Sequence, residues 1–291
     1  MHIDLTQINK NRFLIGIIIN AIFVFVELYY GFQANSVSLL ADAVHNASDV
    51  IGLALVWFGY RVAQHEATYK YTYGFKGATI IAAFLNSVVL IIAVGNVMWE
   101  STLRLMSPQV VQPITMIVVA LVGMVINGLT AFLFMNGKDR DIGILSVYLN
   151  FSLDLLLSLA VAVGGILIIS QNWYFVDPIL GFLIGITIIV SLWRLFKESF
   201  ELFFQAVPNN IISENIVAEI NKIPGVVSYH DLHIWALSTT ETAISVHIVI
   251  DKAHYSSSVV EQLSNTLKDK YEIVHSTIQL EQKGSPSECT I

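Results

Sequence analysis

The first two thirds of the chain are dominated by long runs of apolar residues. Six such runs precede position 205, and we place them near residues 12–33, 36–64, 76–103, 111–136, 142–171 and 173–200. A hydrocarbon layer of roughly 30 Å needs about 20 apolar residues per helix. The pattern therefore predicts a bundle of six transmembrane helices, some of them long enough to tilt or to extend beyond the bilayer.

The pattern changes after Phe204, where a proline and several polar residues end the apolar runs. Two later segments have the spacing of amphipathic helices, and three are predicted to be strands. In order along the chain they are a helix at 211–222, strands at 226–237 and 242–251, a helix at 256–270 and a strand at 273–281. The order αββαβ predicts a small α+β domain whose helices cover one face of the sheet. We thus divide the chain into a membrane domain, 1–205, and a cytoplasmic domain, 206–291.

Composition agrees with a membrane protein. Apolar residues make up 55% of the chain, charged residues make up 13%, and the mean hydropathy is +0.67. The net charge of −7 gives no indication of a basic surface that would bind nucleic acid. A single cysteine, Cys289, excludes an intrachain disulfide framework and a cysteine-rich zinc finger.

Lysine and arginine fall on one side of the predicted bundle. The ends and loops assigned to that side contain Lys10, Arg12, Arg61, Lys70, Lys76, Lys138, Arg140, Arg194 and Lys197. The opposite loops contain only Arg104. Because cytoplasmic loops hold the excess of positive charge, we expect both termini in the cytoplasm. The location expected is the plasma membrane, which in a bacterium is the inner membrane.

Ionisable side chains inside a span are costly, by about 2.5 to 3.5 kcal/mol on insertion scales. His45 and Asp49 are four residues apart in the second span, and Asn150 and Asp154 are four apart in the fifth. This spacing puts each pair on one face of its helix. Two such faces would offer four donors to one ion. The alternative is that these groups only join helices by hydrogen bonds, worth about 0.6 to 2 kcal/mol.

The mixture of donors favours particular ions. Imidazole nitrogen and carboxylate oxygen suit a tetrahedral Zn²⁺ site with ligand distances of about 2.0 to 2.2 Å. A nitrogen ligand argues against Mg²⁺ and Ca²⁺, which prefer oxygen. The sequence therefore predicts that His45, Asp49, Asn150 and Asp154 hold a divalent metal ion.

Other polar residues in the spans are interpreted as partners in interhelical hydrogen bonds or as supports of the metal ligands. They are Glu27, Asp42, Asn46, Asn86 and Asn127. Asp42, three residues before His45, could also orient a ligand or relay a proton. Asp177, which precedes Pro178 at the start of the sixth span, is predicted to be a helix cap.

Several of these residues lie in motifs that resemble the cation diffusion facilitator family. In the membrane domain the motifs are Glu27-Leu-Tyr-Tyr-Gly31, the stretch from Asn35 to Asp49, Tyr73-Gly74-Phe75 with Phe84-Leu-Asn86, and Asp177-Pro178-Ile. In the cytoplasmic domain they are Pro224-Gly-Val-Val and His230-Asp-Leu-His-Ile-Trp235. The resemblance covers nearly the whole chain.

The resemblance implies a homodimer with six spans and a cytoplasmic ferredoxin-like domain, which exchanges cytosolic metal for external protons. It also implies a transport site built from HxxxD or DxxxD pairs in spans two and five. The first pair matches as His45 and Asp49. The second departs from the family pattern at Asn150, because relatives that transport zinc usually have His or Asp there, and asparagine is neutral. Zinc, cadmium or cobalt are the expected ions, with manganese or iron as the alternative.

The resemblance further implies a metal site in the cytoplasmic domain. His230, His247, His275 and Glu281 match positions that bind metal in some relatives, and the alternative is that they are solvated or hydrogen-bonded histidines. His233 and Trp235 are interpreted as packing residues. No ion is expected at the loop from Tyr69 to Phe75, which has neither acidic nor histidine ligands.

Two functions of other classes are weaker alternatives. An intramembrane metalloenzyme would need an open coordination position and a general base, and the chain contains no HExxH motif. A metal sensor without transport would leave the intramembrane charges unexplained. We therefore predict a transporter without enzymatic activity or an organic cofactor, whose partners are metal ions, protons, the lipid bilayer and a second copy of the chain.

Overall fold

The computed structural model describes residues 10–63, 65–135 and 142–282. Lys138, Arg140 and Cys289 lie outside these ranges. Within them, six long helices come before Gln205: α1 (Lys10–Gln33), α2 (Val37–Ala63), α3 (Ala78–Met106), α4 (Pro113–Met135), α5 (Ile142–Gln171) and α6 (Val176–Phe203). The remaining elements are α7 (Ser213–Asn221), β1 (Val226–Ala236), β2 (Thr242–Ile250), α8 (Ser257–Tyr271) and β3 (His275–Gln282).

Four helices of the described chain are long and apolar enough to cross a membrane. The qualifying stretches are Ala78–Met106, Pro113–Leu133, Tyr148–Gln171 and Val176–Phe203, and the apolar part of α1, Ile18–Gln33, is shorter. Large apolar side chains point outward, among them Phe25, Val89, Leu129, Leu153 and Val190. Such a surface suits hydrocarbon rather than water. The chain is a multi-pass membrane protein, and the count of six crossings stays a prediction.

Close packing fixes α5 against α4. A Cβ added to Gly165 on α5 would lie 2.5 Å from Ile117 Cγ1 and 3.3 Å from the backbone oxygen of Pro113, both on α4. Only glycine allows this approach, which is the usual role of small residues between membrane helices. The helix that carries Asn150 and Asp154 is therefore held firmly by its neighbour.

Asp177 holds the beginning of α2. Its buried carboxylate accepts hydrogen bonds from Ser36 Oγ (2.6 Å), Val37 N (2.9 Å), Ser38 N (3.1 Å) and Ser38 Oγ (2.6 Å). A carboxylate at a helix N-terminus satisfies free N–H groups and interacts favourably with the helix dipole. The predicted cap is thus present, but it caps α2 from α6 and not the helix to which Asp177 belongs.

The cytoplasmic domain has the element order that was predicted. Its sheet has the strand order β1-β2-β3, with β1 antiparallel and β3 parallel to β2. Ile244, Val246 and Ile248 point into a core completed by α7 and α8, whereas His247 lies on the other face and is only partly buried. The alternation in β2 therefore predicted correctly which face is buried. The ferredoxin-like fold stays a prediction.

Candidate metal centres

The structure brings together the four side chains predicted for the membrane site. His45 Nε2 on α2 lies 2.9 Å from Asp154 Oδ1 on α5. Asn150 Nδ2 donates to Asp49 Oδ2 at 2.8 Å and makes a longer contact of 3.4 Å with Asp154 Oδ2. The candidate ligand atoms of His45, Asp49 and Asp154 all lie within 4.8 Å of one another. One ion between the two helices could contact them all.

Burial at this site is uneven. Asp154 is fully buried, whereas His45, Asp49 and Asn150 are partly buried. A fully buried carboxylate needs a counter-charge or strong hydrogen bonds, and the contacts that the structure gives Asp154 are the His45 imidazole at 2.9 Å and the Asn150 amide at 3.4 Å. A divalent cation that entered would take over the role of these side-chain contacts.

Asn150 has a particular orientation. Its amide nitrogen faces the two carboxylates, so the side chain must rotate to present its oxygen to an ion. Amide oxygen and nitrogen occupy nearly the same shape, and the rotation exchanges a donor for an acceptor. Asn150 can therefore join the two helices when no ion is bound and ligate an ion when one is.

Behind the ligands lies a second layer of buried polar groups. Asn46 Nδ2 donates to Glu27 Oε2 at 2.9 Å, which joins α2 to α1. Ser158 Oγ donates to Asp42 Oδ2 at 3.1 Å, which joins α5 to α2. The predicted role of Glu27, Asp42 and Asn46 in interhelical hydrogen bonding is confirmed. Sequence reasoning missed Ser158, although it follows Asp154 by four residues and so shares its helix face.

Asn127 does not make the predicted interhelical hydrogen bond with any residue that the structure describes. Its side chain is fully buried, and neither amide atom has a hydrogen-bond partner among the described residues. The interhelical role suggested for Asn86 stays a prediction.

The cytoplasmic domain contains a second cluster of donors. His247 Nδ1 lies 2.9 Å from Glu281 Oε1, and His230 Nε2 lies 3.5 Å from the same oxygen. The two imidazole rings are 5.1 Å apart between centroids. Their proximity follows from the sheet, because His230 pairs with His247 across β1 and β2, and Glu281 pairs with Val249, two residues after His247. His230, His247 and Glu281 could hold one ion.

His275 is not part of this cluster within one chain. It pairs with Ala243 at the beginning of β3. Six residues of strand separate it from Glu281, which corresponds to about 20 Å. Its ring instead makes an edge-to-face contact with Tyr73, with centroids 5.3 Å apart. The predicted four-residue set is corrected to three residues.

The interpretation of His233 as a packing residue is also wrong. His233 is exposed, and its Nε2 lies 2.7 Å from Asp231 Oδ1. Asp231 has a φ of 53° and sits in an irregular part of β1, between residues 230 and 233. That left-handed conformation is uncommon for a residue other than glycine. Asp231 Oδ2 lies 3.7 Å from His247 Nε2. Asp231 is therefore a neighbour of the cluster that the sequence analysis did not single out.

Family models match almost the whole chain. Residues 13–204 match the model described as the cation efflux transmembrane domain. Residues 208–283 match the model described as the cation efflux protein, cytoplasmic domain.

Individual relatives agree with the family models. The metal cation efflux system protein CzcD of Cupriavidus metallidurans is 32% identical over 274 residues, which cover 94% of this chain and 87% of that protein. A cadmium, cobalt and zinc/H(+)-K(+) antiporter of Bacillus subtilis is 31% identical over 281 residues, which cover 95% and 90%. The zinc transporter ZitB of Escherichia coli is 29% identical over 275 residues, which cover 94% and 88%.

A solved structure also resembles part of the chain. The metal-bound C-terminal domain of the CzcD transporter is 40% identical, with a TM-score of 0.24, and the match covers 24% of this chain and 99% of that one.

Proposed function

The chain belongs to the cation efflux family, the cation diffusion facilitators, whose members carry divalent metal cations out of the cytosol, and we propose that it exchanges cytosolic Zn²⁺ for protons. Cd²⁺ and Co²⁺ are further proposed substrates, in keeping with the substrates named for the Bacillus relative. The proposed setting is a homodimer in the plasma membrane, with six crossings per chain and both termini in the cytoplasm.

The observation that carries this proposal is the convergence of His45 and Asp49 on α2 with Asn150 and Asp154 on α5. Two carboxylates neutralise the charge of a divalent ion, and the imidazole adds a nitrogen ligand of the kind zinc prefers. Metal ions and protons compete for the same lone pairs, so an ion that binds releases protons and protons that return expel the ion. His45 is the ligand whose usual pKa lies near neutral pH.

The helices behind the two halves of the site support an alternating-access mechanism. Asp177 ties α2 to α6, and Gly165 packs α5 against α4. Each half of the site thus has its own rigid neighbour. A small displacement of one helix pair against the other would separate His45 from Asp154 and open the coordination shell, in keeping with the shear motions of packed helices.

The identity of the transported metal is a separate part of the proposal. An Asn150 amide in place of a charged or titratable ligand leaves the site with two carboxylates and one imidazole. Zinc, cadmium and cobalt accept this mixture, whereas manganese prefers a shell made of oxygen ligands. An ion panel in the flux experiment below separates these substrates.

A regulatory metal site in the cytoplasmic domain is a second proposal. It rests on His230, His247 and Glu281, whose candidate ligand atoms lie within 4.8 Å of one another. An ion there would fix β1, β2 and β3 together, and it would tighten the dimer when cytosolic metal is abundant. A sensor function of this kind accompanies transport in this proposal and does not replace it, because the membrane site has no role in a sensor that transports nothing.

The test is metal flux in proteoliposomes with a metal-sensitive dye and a pH probe inside the vesicles. We expect the parent protein to move zinc with opposite movement of protons, and Asp49→Ala and Asp154→Ala to abolish the flux. Ser152→Ala is the matched control, because Ser152 lies between the two ligands of α5 but its hydroxyl donates to the backbone oxygen of Tyr148. Parental zinc flux in both aspartate variants would refute the transport site.

A further inference from the structure

Two buried carboxyl groups lie beside the membrane site without belonging to its ligands. Glu27 on α1 and Asp42 on α2 are both 0% exposed. One oxygen of each has a neutral donor, Asn46 for Glu27 and Ser158 for Asp42. The pair therefore has its own hydrogen-bond partners, distinct from His45 and Asp49.

The other oxygen of each group, Glu27 Oε1 or Asp42 Oδ1, has no donor among the residues that the structure describes. The two carboxyl groups lie close enough to interact with each other. Two ionised carboxylates in contact repel strongly in a medium of low dielectric. One proton between them removes a negative charge and supplies a donor for the oxygens that lack one, as in other carboxyl pairs that share a proton.

The surroundings offer few other ways to neutralise this pair. The ionisable groups that face it are Asp154 on α5 and His45 on α2, and these two are already in contact with each other. The sequence of α4 contains no ionisable residue, and that of α5 contains Asp154 and Tyr148 but no lysine, arginine or histidine. A buried acid pair without its own basic partner is costly unless it is protonated.

We propose that Glu27 and Asp42 form a proton-binding site separate from the metal ligands, and that this site supplies one of the protons exchanged for the metal. The inference rests on the proposed antiport. A divalent ion between His45 and Asp154 places positive charge next to the pair. The shared proton is then released to water on the side of the membrane to which the metal site is open. Two carboxylates remain beside the cation. When the metal departs, a proton returns to the pair, since the coupling of the two sites is reciprocal.

The experiment compares full-length parent, Glu27→Gln and Asp42→Asn in proteoliposomes, with zinc and pH reported at the same time. Each amide keeps the shape of the acid and donates an N–H to the remaining carboxylate, but it cannot release a proton. We expect the ratio of protons to zinc to fall by about one in both variants. Zinc flux should respond less to an imposed pH gradient in both variants than in the parent, because fewer protons are exchanged for each zinc ion. Glu27→Asp keeps a titratable group and should keep the parental ratio.

Infrared difference spectra give a readout that does not depend on transport. Addition of zinc to the parent should remove the C=O absorption of a protonated carboxyl group, and this change should be absent in Glu27→Gln and Asp42→Asn. Glu100→Gln is the control, because Glu100 is a partly exposed acid that pairs with Arg104 on its own helix. The infrared change and the proton-to-zinc ratio of Glu100→Gln should match those of the parent.

The outcomes separate this inference from the antiport on which it rests. Parental ratios and parental infrared changes in both amide variants overturn the inference while the antiport stands. The inference is also overturned if zinc transport depends on a potassium gradient and not on a pH gradient. If the parent moves zinc without protons, the antiport fails, and absence of the carboxyl band in the parent then overturns proton binding by the pair as well.

Discussion

The amide nitrogen of Asn150 on α5 donates a 2.8 Å hydrogen bond to Asp49 Oδ2 on α2. This bond joins the two halves of the membrane site through a residue that is neutral and does not titrate. The resemblance to the cation diffusion facilitator family implies that relatives that transport zinc have His or Asp at this position. Asn150 is therefore where ion choice and proton coupling of this chain should depart from those relatives.

Replacing Asn150 by histidine should add a second nitrogen ligand that also titrates. We expect Asn150→His to bind zinc about tenfold more tightly, which corresponds to about 1.4 kcal/mol, and to make transport depend more steeply on pH. Flux of an ion panel between pH 6 and 8, about the range in which histidine titrates, is the measurement. Asn150→Asp is the comparison, since it adds charge without a nitrogen ligand. Unchanged ion preference and pH dependence in both variants would contradict the role given to Asn150.

The proposed metal site in the cytoplasmic domain should bind zinc more weakly when one of its candidate ligands is removed. We expect zinc to raise the thermal midpoint of the full-length protein through binding to the folded state, and this shift to decrease in His247→Ala and Glu281→Gln. His275→Ala should behave as the parent, because His275 pairs with Ala243, away from the cluster. An equal loss in all three variants would instead show that His275 takes part, for example from a second copy of the chain.

Asp177 should contribute to stability through the beginning of α2. Asp177→Ala leaves two backbone N–H groups and two serine hydroxyls without their acceptor. We expect a loss of about 2 to 4 kcal/mol, since each buried donor left unsatisfied costs about 1 to 3 kcal/mol and water offsets part of it. Thermal unfolding in detergent measures it. Asp177→Asn, which keeps one acceptor oxygen, should lose less, and equal stability of the parent and both variants would argue against the cap.

The contact between α7 and α8 should depend on pH. Hydrogen bonds from Lys222 and Lys270 to Glu219 lower the pKa of that carboxyl group. A lowered pKa in the folded state contributes stability above the usual glutamate pKa of about 4.3, and the contribution disappears as the pH falls through the lowered value. Hydrogen exchange in α7 and α8 of the full-length protein should therefore be faster in Glu219→Gln at pH 7 and similar to the parent in acid. Faster exchange at both pH values would point to a packing effect instead.

The sequence predicted the parts of the site that depend on local periodicity. Four-residue spacing places His45 with Asp49 and Asn150 with Asp154, because a helix repeats about every 3.6 residues. Apolar length predicted the helices, and alternation predicted the buried face of β2. These features follow from the backbone geometry of one element at a time, and they need no knowledge of its neighbours.

Only the tertiary structure decided which elements meet. Helices in a membrane associate through packing and hydrogen bonds along their whole surfaces, so nothing local to Asp177 revealed that it caps α2. Likewise, the register of β3 against β2, in which Glu281 pairs with Val249 and His275 with Ala243, decides that Glu281 and not His275 lies beside His247. The interaction between Glu27 and Asp42 also required α1 to lie beside α2, because the two acids belong to different helices. Local spacing therefore determined which donors share a face, and long-range packing determined which faces form a site.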